Sequence, residues 1–129
     1  MQQTIELLAA GAVPADERTV LRLGNDADPL GAELAGVQRI ELHFPKFSDG
    51  RAFSQALLLR RRRGFRGDIR ATGDVLVDQL VQMQRSGFSS AVLRADQNVD
   101  FVPRQFDRYP AFYQGDAQDG RPRFAKGHA

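Results

Sequence analysis

The 129-residue chain has no cysteine. That absence excludes disulfides, a thiolate nucleophile, cysteine-ligated zinc and iron–sulfur ligation. Histidine is almost as scarce. His43 and His128 are far apart in the chain, and His128 sits in a polar tail, so no histidine-based metal site is expected. Lysine is limited to Lys46 and Lys126; the other basic residues are arginine. With a formal net charge of only +2, this bias does not argue for nucleic-acid binding. A long apolar run is also missing. The stretch from Ile5 to Val13 contains Glu6 and has no basic flank, so it reads as neither a signal peptide nor a membrane span. There is no Gly-x-Gly-x-x-Gly after a strand, no phosphate-loop Lys-Ser/Thr and no Cys-x-x-Cys. The expectation is a cytoplasmic protein with no metal, no cofactor and no membrane contact.

What remains is an ordinary globular composition, 42% hydrophobic and 26% charged, in a chain long enough for one domain with a real core. Residues 1–18 hold a short apolar run followed by Pro14, Asp16, Glu17 and Arg18, and read as a loosely attached lead-in. Residues 19–23 alternate and stop at Gly24-Asn25, which predicts a strand; one helical turn is expected within 29–34. Residues 39–44 alternate again. Ser48 or Asp49 can cap a helix over 51–63, closed by Gly64 and the apolar Phe65. A short strand over 69–72 follows, and Asp74 is placed to cap a second helix with Leu76, Leu80 and Met83 on one face. Gly87-Phe88 ends that helix as Gly64-Phe65 ended the first, and residues 91–95 form the next strand.

Repetition of strand, loop, helix and Gly-Phe implies successive βα units with neighbouring parallel strands. The fold class is therefore α/β, with a small, mostly parallel sheet resembling an arc of a βα barrel. The single domain covers 19–114 and ends in an aromatic, partly helical segment; 115–129 reads as a disordered tail. The strands are two-faced. Ile40, Leu42, Phe44, Ile69, Ala71 and Leu21 oppose Glu41, His43, Arg70, Thr72 and Arg22. The charged face could be an internal ion network, a ligand site or an interface.

Loops at the carboxyl ends of parallel strands are where α/β proteins bind ligands. Two are visible here: 45–51, and Thr72-Gly73-Asp74. Lys46, Asp49, Arg51, Arg70 and Gly73 are the candidate contacts for a small anion such as sulfite, sulfate or phosphate, Gly73 because backbone can approach a ligand closely there. Asp74 and Asp78, four apart, are the candidate catalytic acid/base pair; one cap plus one exposed or water-bound acid is the commoner explanation of such a pair. The run Arg60-Arg61-Arg62-Arg63 with Arg66 fits a solvated helix C-terminus, and nucleic acid is not an expected partner. Phe101, Phe106, Tyr109, Phe112 and Tyr113 read as core or subunit contact. A four-strand arc leaves open edges, so a homodimer is expected, sharing either this aromatic stretch or the face with Glu41, His43, Arg70 and Arg94.

The block Phe44-Pro45, Asp49-Gly50-Arg51, Arg70-Ala71, Gly73-Asp74-Val75-Leu76, Asp78-Gln79 and Gly87-Phe88 resembles a bacterial family, domain-of-unknown-function family nine-three-four, over about 42–93. The resemblance implies a role in sulfite reduction, because genes of that family often lie beside those for sulfite reductase and sulfonucleotide reduction. Members often carry cysteine where this chain has Ser86, so redox chemistry at that position is closed to this chain. The expectation is an accessory protein of assimilatory sulfite reduction that binds a small anion, sulfite reductase or another sulfur-assimilation enzyme. The alternatives are a small enzyme acting on an anionic substrate at the strand carboxyl ends, and a non-catalytic homodimeric interaction module.

Overall fold

Short alternating segments rich in Ile, Leu and Val form strands because each can bury one face while the backbone pairs with a neighbour. In the computed structural model, which describes residues 2–11, 18–46 and 48–107, five such segments make one sheet: β1 (Glu6–Ala9), β2 (Val20–Leu23), β3 (Arg39–Phe44), β4 (Asp68–Gly73) and β5 (Ser90–Leu93). Every pairing is parallel, and the order is β1-β5-β4-β3-β2. From β2 to β5 each strand lies beside the next, the winding of a barrel arc, and right-handed crossovers then put all connecting helices on one face. The crossover helices are α1 (Arg51–Arg61), between β3 and β4, and α2 (Leu80–Ser86), between β4 and β5; α3 (Val102–Asp107) follows β5, and 3-10 turns lie at Pro29–Gly31, Val77–Gln79 and Val99–Phe101. Tyr109, Phe112, Tyr113 and the expected tail over 115–129 lie outside the described residues.

The apolar face of the three central strands is covered, while Leu7, Leu21 and Leu23 on the edge strands are partly buried. Ile40, Leu42, Phe44, Ile69, Ala71, Ala91 and Leu93 are buried against Ala52, Ala56 and Leu59 of α1, Leu80 and Met83 of α2, and Val102 and Phe106 of α3. Phe44, Phe53 and Phe88 form a ring cluster, with Phe44 5.1 Å from Phe53 and 5.7 Å from Phe88 between centroids. The two Gly-Phe steps close their helices alike. Gly64 and Gly87 take left-handed φ, and the following Phe65 and Phe88 N–H groups donate to the Leu59 and Met83 carbonyls at 2.9 and 3.0 Å.

Two expectations change. First, residues 6–9 are not a lead-in but an edge strand of the sheet. Glu6 N–H donates to the Ser89 carbonyl at 2.9 Å, the register runs from Glu6 beside Ser90 to Ala9 beside Leu93, and Ile5 is buried in the core. The buried Gln84 side chain clamps the entry to β1. Its carbonyl accepts from the Thr4 and Ile5 N–H groups at 2.7 and 3.1 Å, and its amide donates to the Gln2 carbonyl at 2.8 Å. Gln84→Ala leaves the Ile5 N–H buried and unpaired and should cost about 1–3 kcal/mol. Chemical denaturation and faster proteolysis before β2 are the readouts.

Second, Asp74 does not cap the second helix. Val75 is fully buried, so the chain dips into the core before α2 begins. The first turn is closed by glutamines instead: Leu76 N–H donates to Gln79 Oε1 at 3.2 Å and Val77 N–H to Gln97 Oε1 at 2.8 Å.

Candidate functional site

At the carboxyl end of β3 the chain turns through Lys46 and Asp49, whose N–H donates to the Lys46 carbonyl at 3.0 Å. The Asp49 carboxylate accepts from Arg51 N–H at 3.0 Å and from Asn25 Nδ2 at 2.7 Å, and lies 4.0 Å from Arg51 Nε. The Arg51 N–H, and then Asn25, hold its carboxyl below the ordinary carboxylate range. Asp49 thus occupies a donor at the start of α1, while the Lys46 and Arg51 side chains remain exposed.

Gly73 ends β4 directly beside Phe44. With φ of +93°, it sits so close to β3 that a Cβ would lie 2.4 Å from the Phe44 carbonyl oxygen and 2.6 Å from the His43 ring. The close approach expected here is to the neighbouring strand. One residue on, Asp74 N–H donates to that same Phe44 carbonyl at 2.8 Å, and its carboxylate takes Arg94 Nη1 at 2.5 Å. Arg94 also forks onto Asp96, Nε to Oδ1 at 2.6 Å and Nη2 to Oδ2 at 2.7 Å. That fork pulls Asp96 down to about 2, and the two carboxylates push Arg94 upward.

Beside this knot lies a cleft of about 420 Å³ lined by Val77, Asp78, Asp96, Gln97, Phe101 and Arg104 among others. Asp78 is exposed, with Gln105 Nε2 at 3.4 Å. Phe101 is 49% exposed, and the Arg104 guanidinium sits 5.8 Å from its ring centroid. The sequence singles out neither Asp96 nor Gln97, and Arg104, although it lies among the aromatics, does not stand out there as a site residue. The available signal was an Asp/Gln/Asn loop directly after a strand.

Lys46, Asp49, Arg51 and Gly73 therefore gather at the ends of β3 and β4. Arg70 does not join them. It pairs in register with Glu41 and Ser90, in the amino-terminal half of β4, and its side chain is 7% exposed. There it takes part in an ion network on the polar sheet face. Arg39 Nε donates to Asp68 Oδ2 at 2.7 Å, Arg70 Nε to Ser90 Oγ at 3.0 Å, and Ser90 Oγ to Asp68 Oδ1 at 2.9 Å. The Ser89 hydroxyl donates to the same Oδ1, and Arg70 Nη2 lies 3.5 Å from Asp68 Oδ2. Burial raises the Asp68 pKa, but Ser89, Arg39, Ser90 and the Arg70 charge outweigh it, and the carboxyl ends below its ordinary 3.8. Nearer the edge, Arg22 pairs with Glu41 at 3.0 Å.

The arginine run divides by helical spacing. Arg60 turns inward and donates to the carbonyls of Gly87, Phe65 and Gly67 at 2.9, 3.0 and 2.7 Å; Arg63 donates to those of Pro29 and Leu30, both at 2.9 Å. Arg61, Arg62 and Arg66 remain exposed.

Among the described residues no helix is long and apolar enough to cross a membrane. No curated protein and no solved structure matches the chain. The model of a bacterial protein family of unknown function, DUF934, matches residues 18–124, and the chain belongs to that family.

Proposed function

We propose that the protein is a cytoplasmic accessory component of assimilatory sulfite reduction that acts by binding, either to the reductase or to a small anion at the Lys46–Arg51 loop. The sulfite context comes from the motif resemblance. The observation that carries binding over turnover is the state of the carboxylates at the strand ends. Asp49, Asp74 and Asp96 are each engaged by a backbone donor or a guanidinium, and Asp96 titrates at about 2, far from the range useful to a general acid or base near neutrality. Among the groups left exposed, Arg51, Phe101 and Arg104 are of the kinds enriched where proteins recognise a partner, and Lys46 supplies a cation for an anion. The exposed Val99 and Phe101 would equally suit a second copy of the chain, making the accessory component a homodimer.

A second reading, a small enzyme acting on an anionic substrate, draws on the 420 Å³ cleft and its exposed Asp78. The test of the pathway is growth of a deletion strain on single sulfur sources. Growth is expected to fail or slow on sulfate and sulfite and to be normal on sulfide. Normal growth on all three would remove the proposal.

A further inference from the structure

Arg61 in the last turn of α1 and Arg85 in the last turn of α2 line one open groove of about 390 Å³ where the two helices pack. Leu57 and the buried Val81 give it a small aliphatic patch, Gln82 and Ser86 add polar lining, and Asp78 is the acid that lines it. Neither arginine has a hydrogen bond or ion pair with any described residue, whereas Arg60 and Arg63 of the same run are committed to backbone carbonyls. A helix dipole accounts for a cation near each helix end. It does not account for two guanidiniums, neither paired among the described residues, lining one groove with an aliphatic patch, with the exposed Arg62 and Arg66 close by in the chain.

We infer that this groove docks an acidic, aliphatic segment of a partner protein. Carboxylates would meet Arg61 and Arg85, and a Leu- or Val-like side chain would rest on the half-buried Leu57. Arg suits the role because its planar fork takes a carboxylate in a two-point contact. A polypeptide fits better than a nucleic acid, since no aromatic side chain lines the groove to stack a base. The location of the groove does not depend on the sulfite-reduction reading; only the identification of the partner with the reductase rests on it.

Fluorescence anisotropy of a labelled synthetic peptide of Glu and Leu residues, titrated with the full chain, tests the inference. Wild type should bind it, more weakly as salt rises, and at least tenfold more tightly than a peptide with Gln in place of Glu. Arg61→Glu with Arg85→Glu should weaken binding at least tenfold while the protein stays folded at the assay temperature by circular dichroism, its melting temperature lowered only by the few degrees that two anions at helix C-termini cost, and Arg61→Lys with Arg85→Lys should retain part of the binding. Equal binding by wild type and the double Glu variant, or no peptide binding, overturns the docking site. A single-stranded oligonucleotide that binds as tightly and competes with the peptide also overturns it, in favour of a general polyanion surface. Purified sulfite reductase forms a separate arm. Peptide binding without reductase binding upholds the groove while counting against the proposed partner; reductase binding that is indifferent to the Glu substitutions counts against the groove alone.

Discussion

Gly73→Val is expected to destabilise the protein by about 4 kcal/mol, from the strain of a left-handed β-branched residue and the crowding of its side chain. The backbone there has φ of +93°, and a Cβ would press on the Phe44 carbonyl oxygen at 2.4 Å and the His43 ring at 2.6 Å. The ring can rotate away, but the carbonyl cannot: it already accepts from the Asp74 N–H that carries the chain out of β4. For a domain of this size the melting temperature should fall by roughly 10 °C or more. Gly73→Ala in a His43→Ala background should recover only part of the loss, since the carbonyl contact remains. A Gly73→Val protein that melts like wild type would mean that β3 and β4 are not this close at their carboxyl ends.

Asp68→Ala should be comparably severe, at about 3–5 kcal/mol, because removing one member of a buried ion network strands the others. Arg39 and Arg70 are 6% and 7% exposed in their side chains, and both rely on this carboxylate, as do the Ser89 and Ser90 hydroxyls. The sign of the pH effect follows from the depressed pKa. Folding favours the charged carboxylate, so its contribution is complete above the ordinary value of 3.8 and is lost as pH falls through the lower folded value. Urea denaturation at stepped pH should show wild-type stability declining below pH 3.8, with that component missing from Asp68→Asn. An Asp68→Asn variant with the wild-type acid profile would contradict the network.

The strands over β3, β4 and β5 were legible because alternation of apolar and polar residues is a local signal, and the repeated Gly-Phe step marked where each helix ends. β1 was not. Glu6-Leu7-Leu8-Ala9 does not alternate, and its partners, β5 and Gln84, lie some 80 positions away. The two faces of the sheet could be read from period alone, but position along a strand could not. Arg70 looked like a neighbour of the β4 end loop, while its register with Glu41 and Ser90 places it toward the other end of the sheet. Asp68 was hidden for a similar reason: following Gly67, it reads as loop, yet it is the acceptor around which the polar face is organised. Asp74 had the spacing of a helix cap. Only the burial of Val75 and the arrival of Arg94 from just beyond β5 assign it elsewhere.

Asp78 is the acid that best separates binding from turnover, being exposed and held by no cation among the described residues. The most direct measurement is growth on sulfite of the deletion strain complemented with Asp78→Asn, with wild type and empty vector as the limits. Growth indistinguishable from wild type is expected, because the substitution leaves the fold, Lys46, Arg51, Phe101 and Arg104 in place and removes from the Arg61–Arg85 groove only a charge that would repel an acidic partner. Growth no better than empty vector, with the variant protein folded and present at wild-type level, would contradict binding without turnover and make Asp78 a catalytic residue.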